Sequence, residues 1–222
     1  VFRKLQPRQN LSVLLYPASP LPGQALQGSA VIEISDNFWD YWEFFDINLD
    51  KATNIMQELF KDQIIDNIDF ENTLIIHFRG GDSSGDITWK HPPYYFYKNI
   101  IDNSNYEKIL LVIEDNSNPV IKKLLDNYQN VSTTTNDYFT DFKIIKNSIH
   151  LVDSQSSFTS SALLLNNKLK TLYTTPQMHK YRKNYNNVNV INYDLDNYTN
   201  KIIFNNHDEY YYHLLLDNDP NK

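Results

Sequence analysis

An α/β fold built on a parallel sheet is the class this sequence predicts, and three observations lead to it. From residue 73 onward, short apolar runs alternate with helical stretches of about ten residues, the pattern of repeated βαβ units. The segments between them hold the Pro, Gly, Asn, Asp and Ser that turns and helix caps require. Three of the apolar runs end in polar clusters, which a parallel sheet brings to a single edge.

The elements follow in order. Residues 1–30 are rich in turn formers, with Pro7, Pro17, Pro20 and Pro22, and carry one apolar stretch over 11–16, so helix is not expected there. A helical period runs over 49–65, with Ile55, Met56, Leu59 and Phe60 on one face. A boundary near residue 66 then separates an N-terminal lobe, 1–66, from the α/β part, 67–222. Strands are expected at 73–78, 108–113, 131–134, 150–152, 170–173 and 188–191. Helices are expected at 94–103 behind Pro92-Pro93, at 118–128 with Pro119 in the first turn, at 140–147 capped by Thr140 or Asp141, at 157–166, and at 207–216.

Composition narrows the function classes. A chain of 222 residues with 41% hydrophobic and 14% aromatic residues can bury one good core. Its net charge of −7 and pI near 5.3 argue against broad nucleic-acid binding, which needs a basic footprint. A nucleotide is compatible with that charge, because one arginine and a few backbone N–H groups hold a diphosphate. The absence of cysteine excludes disulfides and thiolate metal sites. No apolar stretch reaches the ~18 residues of a membrane span, and no signal peptide is visible.

The first polar cluster is His77-Phe78-Arg79-Gly80-Gly81-Asp82, where three of the five glycines (Gly80, Gly81, Gly85) fall together. Arg79 can fork two donors onto a diphosphate, while Asp82 holds the turn or the guanidinium itself. A structural Arg–Asp pair closing a tight loop is the alternative. The second cluster, Ile113-Glu114-Asp115-Asn116, offers carboxylates to the N–H groups of a purine or to ribose hydroxyls. Its alternative is a solvated loop leading into a helix N-cap. The third, running from Asp153 to Ser161, is a hydroxyl-rich loop entering a helix, which suits an anion even without glycines. An ordinary serine cap is the competing explanation.

In this order the clusters resemble the fucosyltransferase superfamily, which includes α-1,2- and α-1,6-fucosyltransferases and protein O-fucosyltransferases. The matching stretches are 76–82 (His-x-Arg-x-x-Asp), 111–115, and 141–165, the last opening Asp141-Phe142-Lys143-Ile144-Ile145-Lys146-Asn147-Ser148-Ile149-His150. The resemblance covers roughly residues 70–175. It implies the Rossmann-like, nucleotide-binding half of a GT-B glycosyltransferase, with residues 1–66 as part of an acceptor side. It further implies that Arg79 contacts the donor β-phosphate, shaped by His77 and Asp82. Asp115, with Glu114, would face guanine or ribose, and Ser156, Ser157 and Thr159 would bind phosphate. Asp86 and His91 are the reachable candidates for the general base. The implied donor is a GDP-sugar, GDP-fucose first among them, and the partner a glycan or glycoprotein acceptor, with no further cofactor. The chain departs from the pattern in having Gly80 where many relatives carry a second arginine, and Ser160-Ser161 in place of a tryptophan pair. A non-catalytic nucleotide- or glycan-binding module derived from such a transferase is therefore the second expectation.

The remaining motifs read as structural. Asp194-Leu195-Asp196 and Asp217-Asn218-Asp219 have the spacing of metal-dependent transferases but are expected to be solvated loops, and the six histidines lack metal-triad spacing. The basic residues Lys168, Lys170, His179, Lys180, Arg182 and Lys183 are expected to form a solvated face.

Overall fold

The structure is a computed structural model that describes residues 67–80, 91–134, 136–153, 156–175, 187–193 and 204–218, the strands Leu11–Leu14 and Val31–Ile34, and positions 58, 65 and 195. The chain divides into two compact units, Val1–Met56 and Gln57–Lys222. In the first, β1 (Leu11–Leu14) pairs antiparallel with β2 (Val31–Ile34), Leu11 opposite Ile34 and Leu14 opposite Val31. This pair is absent from the sequence reading, because the prolines between the two runs outweigh their short apolar alternation. The helix expected over 49–65 falls almost wholly outside the described residues, of which Glu58 is helical.

The second unit holds a six-stranded sheet in the order β5-β4-β3-β6-β7-β8, every pairing parallel. Its strands are β3 (Thr73–Phe78), β4 (Lys108–Ile113), β5 (Val131–Thr134), β6 (His150–Val152), β7 (Thr171–Thr174) and β8 (Asn189–Asn192). The helices are α1 (Tyr94–Asp102), α2 (Pro119–Asn127), α3 (Tyr138–Asn147), α4 (Ser157–Leu165) and α5 (His207–Leu214). The first four strands match their expected bounds. β7 and β8 each lie one residue later than expected, and α5 stops at Leu214 rather than 216.

Successive strands step outward from β3 to β5, and the chain then returns to the other side of β3 for β6, β7 and β8. A parallel strand is buried on both faces, and β3 accordingly exposes none of its six side chains. The two-residue period splits them. Leu74, Ile76 and Phe78 join a core with α1, α2 and α5, while Ile75 joins one with α3 and α4. Lys123 ties the first layer together, its Nζ donating to Leu215 O at 2.6 Å and lying 4.3 Å from the centre of the Tyr94 ring.

Helix starts are set by local caps. Asn118 Oδ1 accepts from Val120 N at 3.0 Å with Pro119 next to it, and Asn206 Oδ1 accepts from Glu209 N at 2.9 Å. The α3 start differs from expectation. Asp137 Oδ1 accepts from Phe139 N at 2.9 Å and Thr140 N at 3.2 Å, so Asp137 is the cap and the helix begins at Tyr138, two residues before the expected start at 140. Tyr138 and Phe139 therefore ride on its first turn. Among the described residues no helix is long and apolar enough to cross a membrane.

Leu111 is fully buried in β4 between the central strand and α2. Leu111→Ala is expected to lower the unfolding free energy by about 2–5 kcal/mol, read from urea denaturation at unchanged m-value.

Candidate functional site

Because the sheet is wholly parallel, the carboxyl ends of β3, β4 and β6 open on one edge, and the polar clusters that follow them gather there. The strand order reverses between β3 and β6. Open α/β sheets bind ligands in the crevice at such a point, where the outgoing loops diverge.

Register places the residues. Ile76 pairs with Val152, and Val152 with Tyr173. One step further along, His77, Asp153 and Thr174 form a row across the ends of β3, β6 and β7. The ladder continues into this row, since Asp153 N donates to Tyr173 O at 2.9 Å, and Thr174 Oγ1 donates to Asp153 Oδ2 at 3.4 Å. Asp153, Thr174 and Thr175 are all buried, and the Thr175 hydroxyl has no hydrogen-bond partner among the described residues.

His77 is only 7% exposed. Its Nδ1 lies 2.8 Å from Thr159 Oγ1, and the Phe158 ring stands 5.6 Å from its own. Burial, helped by the Arg79 guanidinium, pushes its pKa down to about 3. The imidazole is thus neutral at ordinary pH and pins the end of β3 to the first turn of α4. The first and third clusters are in this way joined by a buried side-chain bond. Arg79 follows the last residue of β3 and is half-buried. Ser156 caps α4 by accepting from Phe158 N at 3.1 Å, and Ser157 is the first residue of that helix. A serine cap and an anion site are compatible, because the cap satisfies one of several free N–H groups.

The second cluster takes a structural form. Asp115 Oδ1 accepts from Ser117 N at 2.8 Å and from the Ser117 hydroxyl, fixing the turn ahead of α2, while Glu114 is exposed. The Asp115 carboxylate also packs on the Gly80 backbone. A Cβ added at Gly80 would lie 2.8 Å from Asp115 Oδ1 and 2.9 Å from its Cγ. Glycine at this position reflects close approach by a neighbouring strand end.

His91, 5% exposed, lies inside the protein with its backbone N donating to Tyr210 Oη at 3.1 Å. The Tyr97 phenol is fully buried, and burial, with the negative charges of Tyr210 and Asp153, makes it harder to ionise. Asp82 and Asp86 lie outside the described residues. Asp141, in the first turn of α3, is buried, and this holds its carboxyl above the ordinary range against a 3.1 Å hydrogen bond from Asn136 Nδ2. Of the basic run, Lys170 pairs with Glu71 at 2.8 Å at the opposite, amino-terminal edge of the sheet. Sequence reasoning placed Asp153 in the third cluster without a role of its own and missed Thr174. Each lies at a strand terminus, but only register puts them beside His77.

Sheet order and site geometry together define a Rossmann-like α/β domain with a polar, partly cationic switch point. No family model, curated protein or solved structure matches the chain.

Two outcomes follow. His77 has an ordinary pKa of 6.5 that falls on folding, so its contribution to stability is whole above pH 6.5 and is lost as pH drops toward 3. The slope approaches about 1.4 kcal/mol per pH unit, and His77→Gln is expected to flatten that part of the urea-derived stability profile. Gly80→Ala is expected to destabilise by about 1–3 kcal/mol through overpacking, and a double-mutant cycle with Asp115→Ala to show coupling of about 0.5–3 kcal/mol.

Proposed function

We propose that the switch-point crevice holds the diphosphate of a sugar nucleotide, and that the chain is the donor-binding part of a metal-independent, inverting glycosyltransferase. GDP-fucose is the proposed donor, in keeping with the sequence resemblance. The observation that carries the reading is the His77–Thr159 bond, which couples the strand bearing Arg79 to the N-terminus of a serine-rich helix. A forked cation and a helix N-terminus at one crevice are complementary to a leaving diphosphate, which gains negative charge as the sugar departs.

In this reading an acceptor hydroxyl oxygen attacks the anomeric carbon. The bond from that carbon to the β-phosphate oxygen breaks, and the electron pair leaves with GDP. Arg79 and the α4 N–H groups stabilise that charge, with Ser156, Ser157 and Thr159 lining the helix end. Glu114 and Asp115 lie toward the ribose. The hydroxyl proton passes to a base, for which Asp86 and His91 are the candidates, and Asp82 holds the arginine loop.

One observation favours the second reading, a module that binds a nucleotide or glycan without turning it over. A Cβ at Gly80 would lie 2.8 Å from Asp115 Oδ1, so the second arginine of the resembled family could stand there only if the Asp115 side chain shifted. Calorimetry with GDP separates binding from its absence: Arg79→Ala is expected to weaken GDP by well over tenfold. No GDP binding at millimolar concentration would sink the transferase reading and the GDP-binding form of the module. Release of GDP from GDP-fucose with an acceptor, insensitive to EDTA, supports the enzyme, whereas binding without turnover supports the module.

A further inference from the structure

The first turn of α3 carries two aromatic side chains that the fold leaves in solvent, Tyr138 at 58% and Phe139 at 50% exposure. Their ring centroids are 4.2 Å apart, tilted by 33°. They are held in place from below, since Asp137 accepts from Phe139 N and Thr140 N and takes the Thr140 hydroxyl at 2.8 Å. Most large apolar side chains elsewhere in the domain are in its two cores. An adjacent aromatic pair on a pinned backbone is therefore an unusual allocation.

Its place in the sheet is informative. α3 leaves the carboxyl end of β5, so the pair stands on the same edge as Arg79. Proceeding outward from the switch point, this edge presents Arg79 after β3, Glu114 and Asp115 after β4, and then Tyr138 and Phe139 after β5. Neighbouring strands lie about 4.8 Å apart, so the ends of β3 and β5, which these residues follow, are roughly 10 Å apart along the edge, a span within the length of an extended nucleoside diphosphate. The carboxylates of Glu114, Asp115 and Asp137 along the way repel a phosphate, which orients such a molecule with its anionic end inward. At the carboxyl end of β5 the buried Thr134 hydroxyl has no hydrogen-bond partner among the described residues. A planar ring with polar edges suits both the exposed faces and that hydroxyl.

We propose that Tyr138 and Phe139 are a stacking platform for the nucleobase of the ligand whose diphosphate Arg79 holds. The inference rests on the diphosphate reading. Stacking on aromatic side chains is tolerant of base identity, so the platform supplies affinity for a nucleoside over a bare diphosphate.

Calorimetric titration of the full chain and of Tyr138→Ala/Phe139→Ala with GDP, ADP, UDP and inorganic pyrophosphate tests it. Both side chains are largely exposed, and circular dichroism with urea unfolding verifies that the variant folds. The double variant is expected to bind all three nucleotides at least tenfold more weakly and pyrophosphate equally well. In a second variant, Tyr138→Trp, the fluorescence added to that of the three native tryptophans, Trp39, Trp42 and Trp89, is expected to be quenched saturably by the nucleotides and not by pyrophosphate. Nucleotide affinity unchanged in the double variant, with no such quenching, overturns the platform and leaves the Arg79 site standing. A parent chain that binds neither pyrophosphate nor nucleotide overturns the diphosphate reading and the platform with it. Sedimentation showing a dimer that the double variant dissociates, at constant nucleotide affinity, assigns the pair to a second copy instead.

Discussion

A neutral imidazole, buried between a strand end and a helix start, fixes the geometry of the edge on which the rest of the site depends. His77 and Thr159 are 82 positions apart in sequence, and their 2.8 Å contact closes the crevice where the strand order reverses. The imidazole fits there because it is uncharged: an ion in that place would face a desolvation cost of several kcal/mol with the Arg79 cation close by. Burial selects the neutral form, and the neutral form can share a proton with a hydroxyl. That leaves the guanidinium next to it as the positive charge at the end of β3.

The two faces of the sheet divide the work around this contact. Leu74, Ile76 and Phe78 anchor β3 to the layer of α1, α2 and α5, and Ile75 anchors it to α3 and α4. The side chains that break the apolar pattern do so at the carboxyl ends, where the loops diverge and a ligand can enter. Some polar groups at such positions are buried and paired, as with Thr174 on Asp153. The apolar packing lies in the middle of the strands and the polar groups at their tips.

Much of this was legible in the sequence because it is local. The apolar runs that became β3, β4, β5 and β6 are bounded by turn residues, and their ends were readable to the residue. The parallel arrangement followed from alternation alone. What could not be read depends on competition or on register. Asp137, Thr140 and Asp141 are all capping residues within one turn, and only the hydrogen bonds show that Asp137 wins. Asp115 looked like a ligand carboxylate, and the structure adds that it fixes its own turn through Ser117 and lies against Gly80. Asp153 and Thr174 became neighbours of His77 through a pairing of β3 with β6 across 76 positions and of β6 with β7 across 21, a fact no window of sequence contains. The strand pair β1–β2 was hidden by the prolines around it. In the candidate site, His77, Arg79, Ser156 and Thr159 were named together from the sequence, but the bond between His77 and Thr159 was not foreseeable.

The packing of Asp115 on Gly80 also constrains how this sequence can change. A gain of positive charge at position 80 is not a single step, because any side chain there meets a carboxylate held by its own turn. Loss of Asp115 removes a negative charge from the edge but releases the turn ahead of α2. Either order passes through a less stable intermediate, so the two strand ends are constrained to change together. The charge of this edge is thus set jointly by two positions, and each single change that makes it more positive is opposed by a loss of stability.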